Sequence, residues 1–218
     1  MAGPPSDGRA LIEVMTTRRS ARAGFSEAPI RDDDLRSILA AGLAAPSSKN
    51  AQPWRFHVVP SRAALRAVAD DVIQENARAD AAFVPLDPAS GQAHTRWSST
   101  VVESAQVLRE VPVGVFIENR GEFSHDRRAV ATADDVTAAV LTYSLEILGI
   151  GAAVENLLIA AGCLGLGGVF IGDILIAEQA IRERLGMEGD LVGVVAIGHG
   201  PTPAEPRAVQ DGRLVWHE

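Results

Sequence analysis

Cysteine occurs once in the 218 residues, at Cys163, which excludes an intramolecular disulfide and any cysteine-built metal site. Its apolar neighbours suggest a small core residue rather than a nucleophile. No apolar signal core follows the first residues, so a cytoplasmic protein is the expectation. His57, His94, His125, His199 and His217 are scattered, with no two at ligand spacing, and neither a G-x-S-x-G elbow nor a P-loop occurs. GCLGLGG at 162 to 168 follows a helical pattern instead of opening one, so it is not a dinucleotide fingerprint. Positive charge is also short. Twenty Lys+Arg against 28 Asp+Glu give a net charge of -8, which disfavours nucleic acid or an anionic membrane as the main partner and favours a small-molecule one.

What the chain does have is an apolar stretch from Ile147 to Asp173, in which Glu155 is the one charged side chain before Gly172. Ile147, Ile150, Val154, Leu157/Leu158, Ala161 and Leu164 recur at helical spacing. The apolar surface exceeds one stripe, so the helix should be buried on several sides, with a second subunit as one candidate cover. The run could span a bilayer by length, but Glu155 and Asn156 fall mid-helix, no Lys/Arg cluster flanks it, and Gly-Leu-Gly-Gly at 165 to 168 should end it as a cap and turn. At 47% hydrophobic, the chain can bury one sizeable core, and a single domain over 1–218 is expected.

Residues 1 to 8, rich in Pro, Gly and Ser, read as a disordered arm. Leu11, Ile12 and Met15 mark a short helix stopping near Thr16-Thr17. Arg18, Arg19 and Arg22 follow, with Ser20 among them. They read either as a solvated basic loop or as an anion site, in which planar guanidinium forks, a hydroxyl and backbone N–H groups after the helix would hold phosphate. Asp32 to Asp34 suggest an N-cap and acidic first turn for a helix running to Ala45. APSSKNAQPW then forms a polar loop bounded by Pro46 and Pro53. Ser47, Ser48, Asn50 and Gln52 put hydrogen-bonding groups there, just before the strand Arg55 to Val59.

RRSAR at 18 to 22, APSSKNAQPWRF at 45 to 56, GAAVENLLIAAGCLGLGG with FIGD at 151 to 173, and LVGVVAIGHGPTPAEPR at 191 to 207 together resemble the FMN-dependent nitroreductase family. The resemblance implies an α+β fold, a central mostly antiparallel sheet wrapped by helices, working as an intertwined homodimer with two FMN sites at the subunit interface. By position, Arg18, Arg19, Ser20 and Arg22 would hold the ribityl phosphate and the pyrimidine edge. Pro46, Ser47, Ser48 and Asn50 would reach the flavin of the partner subunit. Val169, Phe170, Ile171 and Gly172 would pass along the ring by backbone, and Arg207 would be a further phosphate ligand, with Arg213 a competitor for that role. The implied reaction takes hydride from NAD(P)H, bound transiently, onto flavin N5 and passes electrons to a small electron-poor acceptor by a ping-pong scheme. No side-chain acid or base is named, because the flavin carries the chemistry. Oxygen-dependent flavin cleavage, reductive dehalogenation and flavin binding without turnover are the alternatives.

Between the motifs, 61 to 80 reads as a helix opening with Ser61, 84 to 100 as a loop whose His94, Arg96 and Trp97 form either a lid or a solvent loop, and Val111 to Ile117 as a core strand with Val113, Val115 and Ile117 on one face. ENRGEFSHDRR at 118 to 128 reads as a second rim. Asp134-Asp135 should start the helical region leading to Ile147. Further helical signals lie near Ala177 to Leu185, and Leu191 to Gly198 reads as an apolar strand.

Overall fold

The strand patterns become one antiparallel sheet because its central members are apolar on both faces. In the computed structural model, which describes residues 8–78, 96–200 and 213–216, β1 (Trp54–Val59), β2 (Val113–Asn119), β3 (Gly167–Ile171) and β4 (Asp190–Gly198) lie in the order β1-β2-β4-β3. Alternation sorts their side chains. Val113, Val115 and Ile117 share one face with Val195 and Ile197, while Phe116, Val194 and Ala196 point to the other. Both faces are therefore covered, one by α2 (Asp32–Leu43) and α6 (Val136–Cys163), the other by α3 (Arg62–Arg78), α4 (Arg96–Glu110) and α7 (Glu178–Leu185). This is the α+β architecture expected, and all seven residues of β2 are buried.

Local signals explain the element ends. Ser61 Oγ accepts from Ala64 N at 3.3 Å at the start of α3, and Asp135 Oδ1 caps α6 by accepting from Ala138 N at 3.0 Å. Past Leu164, Gly165 takes φ 70° and Leu166 N donates back to Ala161 O at 2.9 Å, a glycine-terminated turn. Two short helices, α1 (Gly8–Thr17) and α5 (Arg127–Ala131), precede the arginine segment and α6 respectively.

Several expectations need correction. The N-cap of α2 is Arg31 without a side-chain cap bond, and Asp32 to Asp34 form only the first turn. Gly167 and Gly168 are strand residues, so the turn after α6 is confined to 164 to 166 and the 165 to 172 stretch is mostly β3. Residues 96 to 100 are the first part of α4 rather than loop, and Gly8 opens α1. In the expected second rim, Glu118 and Asn119 belong to β2 and are buried, as is Ser124.

Among the described residues, packing covers the hub helix on one side. Glu146, Gly149, Ile150, Ala153, Leu157, Leu158 and Ala161 are buried, whereas Val136, Val140, Leu141 and Leu148 are exposed, Leu148 at 70%. Cys163, expected in the core, is an exposed free thiol on the uncovered side. α6 is long and apolar enough to cross a bilayer by length and composition. Yet its covered face packs on α2 and the sheet, and Asn156 Nδ2 donates to Ala41 O at 3.0 Å. Residues 1 to 7, residues 79 to 95 with His94, the side chains of Arg96 and Trp97, and Arg207 lie outside the described residues.

Candidate functional site

The arginine segment is tied to the sheet by backbone. Ser20 bridges Gly168 in parallel, and Ala21 N donates to Gly168 O at 3.1 Å, so the chain after α1 runs along the free edge of β3. A cleft of about 190 Å³ opens there, lined by Thr17, Arg18, Arg19, Leu158 and the glycines Gly165, Gly167 and Gly168. Arg18 is half-buried; its Nη2 lies 3.4 Å from Glu155 Oε2, and its Nε is buried with no hydrogen-bond partner among the described residues. Burying such a donor unsatisfied is costly, so the group is suited to an acceptor that the described residues do not provide.

One detail of the expected anion site changes. Arg18 N donates to Val14 O at 2.8 Å and is spent on closing α1. The segment follows a helix C-terminus, whose free carbonyls repel anions. With Arg18 N and Ala21 N both engaged, the guanidinium groups supply the charge that attracts an anion here. Arg19 Nη1 donates to Arg18 O at 2.7 Å, while Ser20 and Arg22 are exposed.

The second motif forms a strained loop. Lys49, Asn50 and Gln52 all have positive φ, 51°, 57° and 47°, a region that costs a non-glycine residue energy and persists only when the surroundings over-determine it. The restraints are visible. Ser47 Oγ accepts from Gln52 N at 2.9 Å, Asn50 N donates to Ser47 O at 3.0 Å, and Gln52 Nε2 donates to Asn50 Oδ1 at 3.0 Å. Ser47 also packs on α6 at Gly149, where an added Cβ would sit 3.2 Å from Ser47 Cβ. Pro46 is exposed and Ser48 half-buried.

One turn earlier on α6, Glu146 organises the facing loop. Its carboxylate accepts from Phe123 N at 2.6 Å, Ser124 N at 3.2 Å, Ser124 Oγ at 2.5 Å and Asn119 Nδ2 at 3.0 Å. Burial alone would raise its pKa, but these bonds outweigh burial and hold it below the usual carboxylate value. Glu118 behaves alike. Burial opposes its charge, but His57 Nε2 at 2.7 Å, the N–H groups of Gly189 and Glu188, and Arg55 together lower its pKa. Tyr143 is pushed up to about 12, chiefly by burial.

The two motifs do not meet within one chain. The Ser47 loop touches α6 at Gly149, whereas the arginine segment touches it at Glu155, roughly 9 Å further along the axis and on a different face. Val169 and Ile171 are buried, and Phe170 and Gly172 are half-buried, on the arginine side. Glu146, Gly149, Lys49 and Phe123 were not singled out by the sequence. The available signal was an acid, Glu146, within an apolar helix.

The model of the nitroreductase family matches residues 15–199. A protein of Archaeoglobus fulgidus, provisionally named an NADH dehydrogenase/NAD(P)H nitroreductase, is 29% identical over 192 residues, covering 86% of this chain and 84% of the relative. Among solved structures, a nitroreductase with bound FMN from Desulfitobacterium hafniense has TM-score 0.71 at 18% identity, with 95% of this chain and 98% of that chain covered. The NADPH:FMN oxidoreductase of Vibrio harveyi complexed with NAD+ has TM-score 0.65 at 21% identity, covering 95% of this chain and 76% of that one. At these identities the two structures establish likeness of fold.

Proposed function

The chain belongs to the nitroreductase family, and on that premise we propose that it is an FMN-dependent oxidoreductase, a cytoplasmic homodimer drawing electrons from NAD(P)H for a small electron-poor acceptor. The observation that carries the cofactor is the glycine-lined cleft with the buried Nε of Arg18 on its wall, without a partner among the described residues. A phosphate oxygen is an acceptor of the right charge for that donor. When bound, FMN supplies the redox chemistry, taking a hydride from the nicotinamide and giving electrons to an acceptor that follows it into the same slot.

This chain's own residues bind and orient. Arg18, Arg19, Ser20 and Arg22 would hold the phosphate and the pyrimidine edge, with Arg207 or Arg213 as a further phosphate ligand. The backbone of Val169 to Gly172, next to the Ser20 bridge, would border the ring. Ser47, Ser48 and Asn50 with Pro46 would complete the flavin site of the other subunit, a division supported by the distance between the two motifs along α6 and by the exposed apolar face of Val140, Leu141 and Leu148. Burying that face in a dimer contributes on the order of 25 cal/mol per Å² of apolar surface.

The test is reconstitution with FMN followed by steady-state oxidation of NADH or NADPH with a quinone and a nitroaromatic. The reading expects about one FMN per chain and parallel double-reciprocal lines. FMN binding without any NAD(P)H oxidation would reduce the protein to a flavin carrier, and no binding would overturn the reading.

A further inference from the structure

The chain uses lysine once. Of its 20 Lys+Arg residues, Lys49 is the one lysine, and it stands in the strained loop at φ 51°. A turn of that conformation is served at lower cost by Gly, Asn or Asp, so what the position supplies is the lysine side chain itself. That side chain is exposed, and its ammonium lies 5.9 Å from the centroid of the Phe123 ring, within cation–π reach.

Both partners are held from beneath. Lys49 rides on the loop seated at Gly149, and Phe123 is pinned through its own N–H to Glu146. Phe123 nevertheless leaves 36% of its surface exposed. The acids of the facing loop and helix are committed elsewhere, Glu122 to Arg120 at 2.8 Å and Glu146 to its four donors. Among the described residues no carboxylate forms an ion pair with Lys49. In a chain of net charge -8, this is a positioned cation beside an aromatic ring, in the same loop as Ser48 and Asn50.

We propose that Lys49, steadied by Phe123, determines specificity for the acceptor, selecting planar aromatic acceptors that carry an anionic substituent such as a carboxylate or sulfonate. The ring of the acceptor packs at Phe123 while its anionic group meets the ammonium, at a distance from the reacting group. This rests on the flavin reading above, in which the loop from Pro46 to Asn50 borders the cofactor.

The experiment compares 4-nitrobenzoate with the neutral, near-isosteric 4-nitrobenzamide on FMN-loaded wild type, Lys49→Met and Lys49→Arg. The expected result is an anion preference in kcat/KM that falls about tenfold in Lys49→Met, mostly through KM, and is largely retained in Lys49→Arg, as for loss of one charge-assisted contact. A second readout does not need turnover. After reductive methylation with ¹³C-formaldehyde, the single lysine side chain gives one dimethylamine resonance distinct from the terminal amine, and it should shift on titration with 4-nitrobenzoate but not with the amide. FMN-loaded protein whose preference is the same in wild type and Lys49→Met would overturn the assignment of Lys49 alone. A wild type that takes up no FMN would overturn the flavin reading, and this proposal with it.

Discussion

Glu146 and Gly149 stand one turn apart on the covered face of α6, and between them they set both rims of the candidate site. Glu146 gathers the loop from Asn119 to Ser124 onto its carboxylate, and Gly149 leaves the space into which Ser47 packs. A single rigid turn thus fixes the distance between Lys49 and Phe123.

Gly149→Val should disturb the Ser47 loop, because even a Cβ would approach Ser47 Cβ to 3.2 Å. Overpacking of this kind costs about 1 to 3 kcal/mol. The predicted result is weakened FMN binding with a near-native circular dichroism spectrum, and unchanged FMN affinity would show that the loop does not contribute to the flavin site.

Arg18→Ala removes the guanidinium whose Nε has no partner among the described residues. The expected loss of FMN affinity is on the order of 1.5 to 3 kcal/mol, measured by flavin fluorescence on titration. Retention of wild-type affinity would remove Arg18 from the site.

Glu146→Ala leaves four donors, three of them on one loop, without their acceptor. Unfolding in urea should show a loss of roughly 2 to 4 kcal/mol. The acid limb of stability follows from the same carboxylates. Glu118 and Glu146 have folded pKa values lowered from 4.5, so the stability they contribute is fully present above that value. It is lost as pH falls through their lower folded pKa values. Denaturation midpoints measured between pH 6 and pH 2 should therefore drop mainly below 4.5, and Glu118→Gln with Glu146→Gln should flatten that drop. An unaltered acid limb in the double variant would assign it to other groups.

Leu148→Glu places a charge on the most exposed apolar position of α6, where 70% of the residue is open in the single chain. If that face is the dimer interface, the variant should sediment as a monomer and release FMN. A Leu148→Glu dimer with normal flavin content would locate the interface elsewhere.

The motifs proposed to carry the site stand out in the sequence because each is local. Arg18 to Arg22 and Pro46 to Pro53 place charge and hydrogen-bonding groups within a few consecutive residues, and period-two alternation gave the face of Val113, Val115 and Ile117. What escaped depends on partners distant in sequence. α6 is apolar around most of its circumference, so its composition does not say which side is covered, and Cys163 falls on the open one. Gly167 and Gly168 read as a turn, yet they pair with β4 and leave room for Ala21 and Leu158. Asn119 and Ser124 look like a polar rim until Glu146 is placed beneath them. The three aspartates at 32 to 34 allow the start of α2 to slip by one residue, a common ambiguity of helix ends.

The central claim is a bound FMN reduced by nicotinamide, and the visible absorption spectrum of the FMN-loaded protein before and after anaerobic addition of NADH or NADPH tests it most directly. The account predicts a flavin band that bleaches on adding the nicotinamide and returns on adding an electron-poor acceptor. A band that persists with both nicotinamides would contradict it.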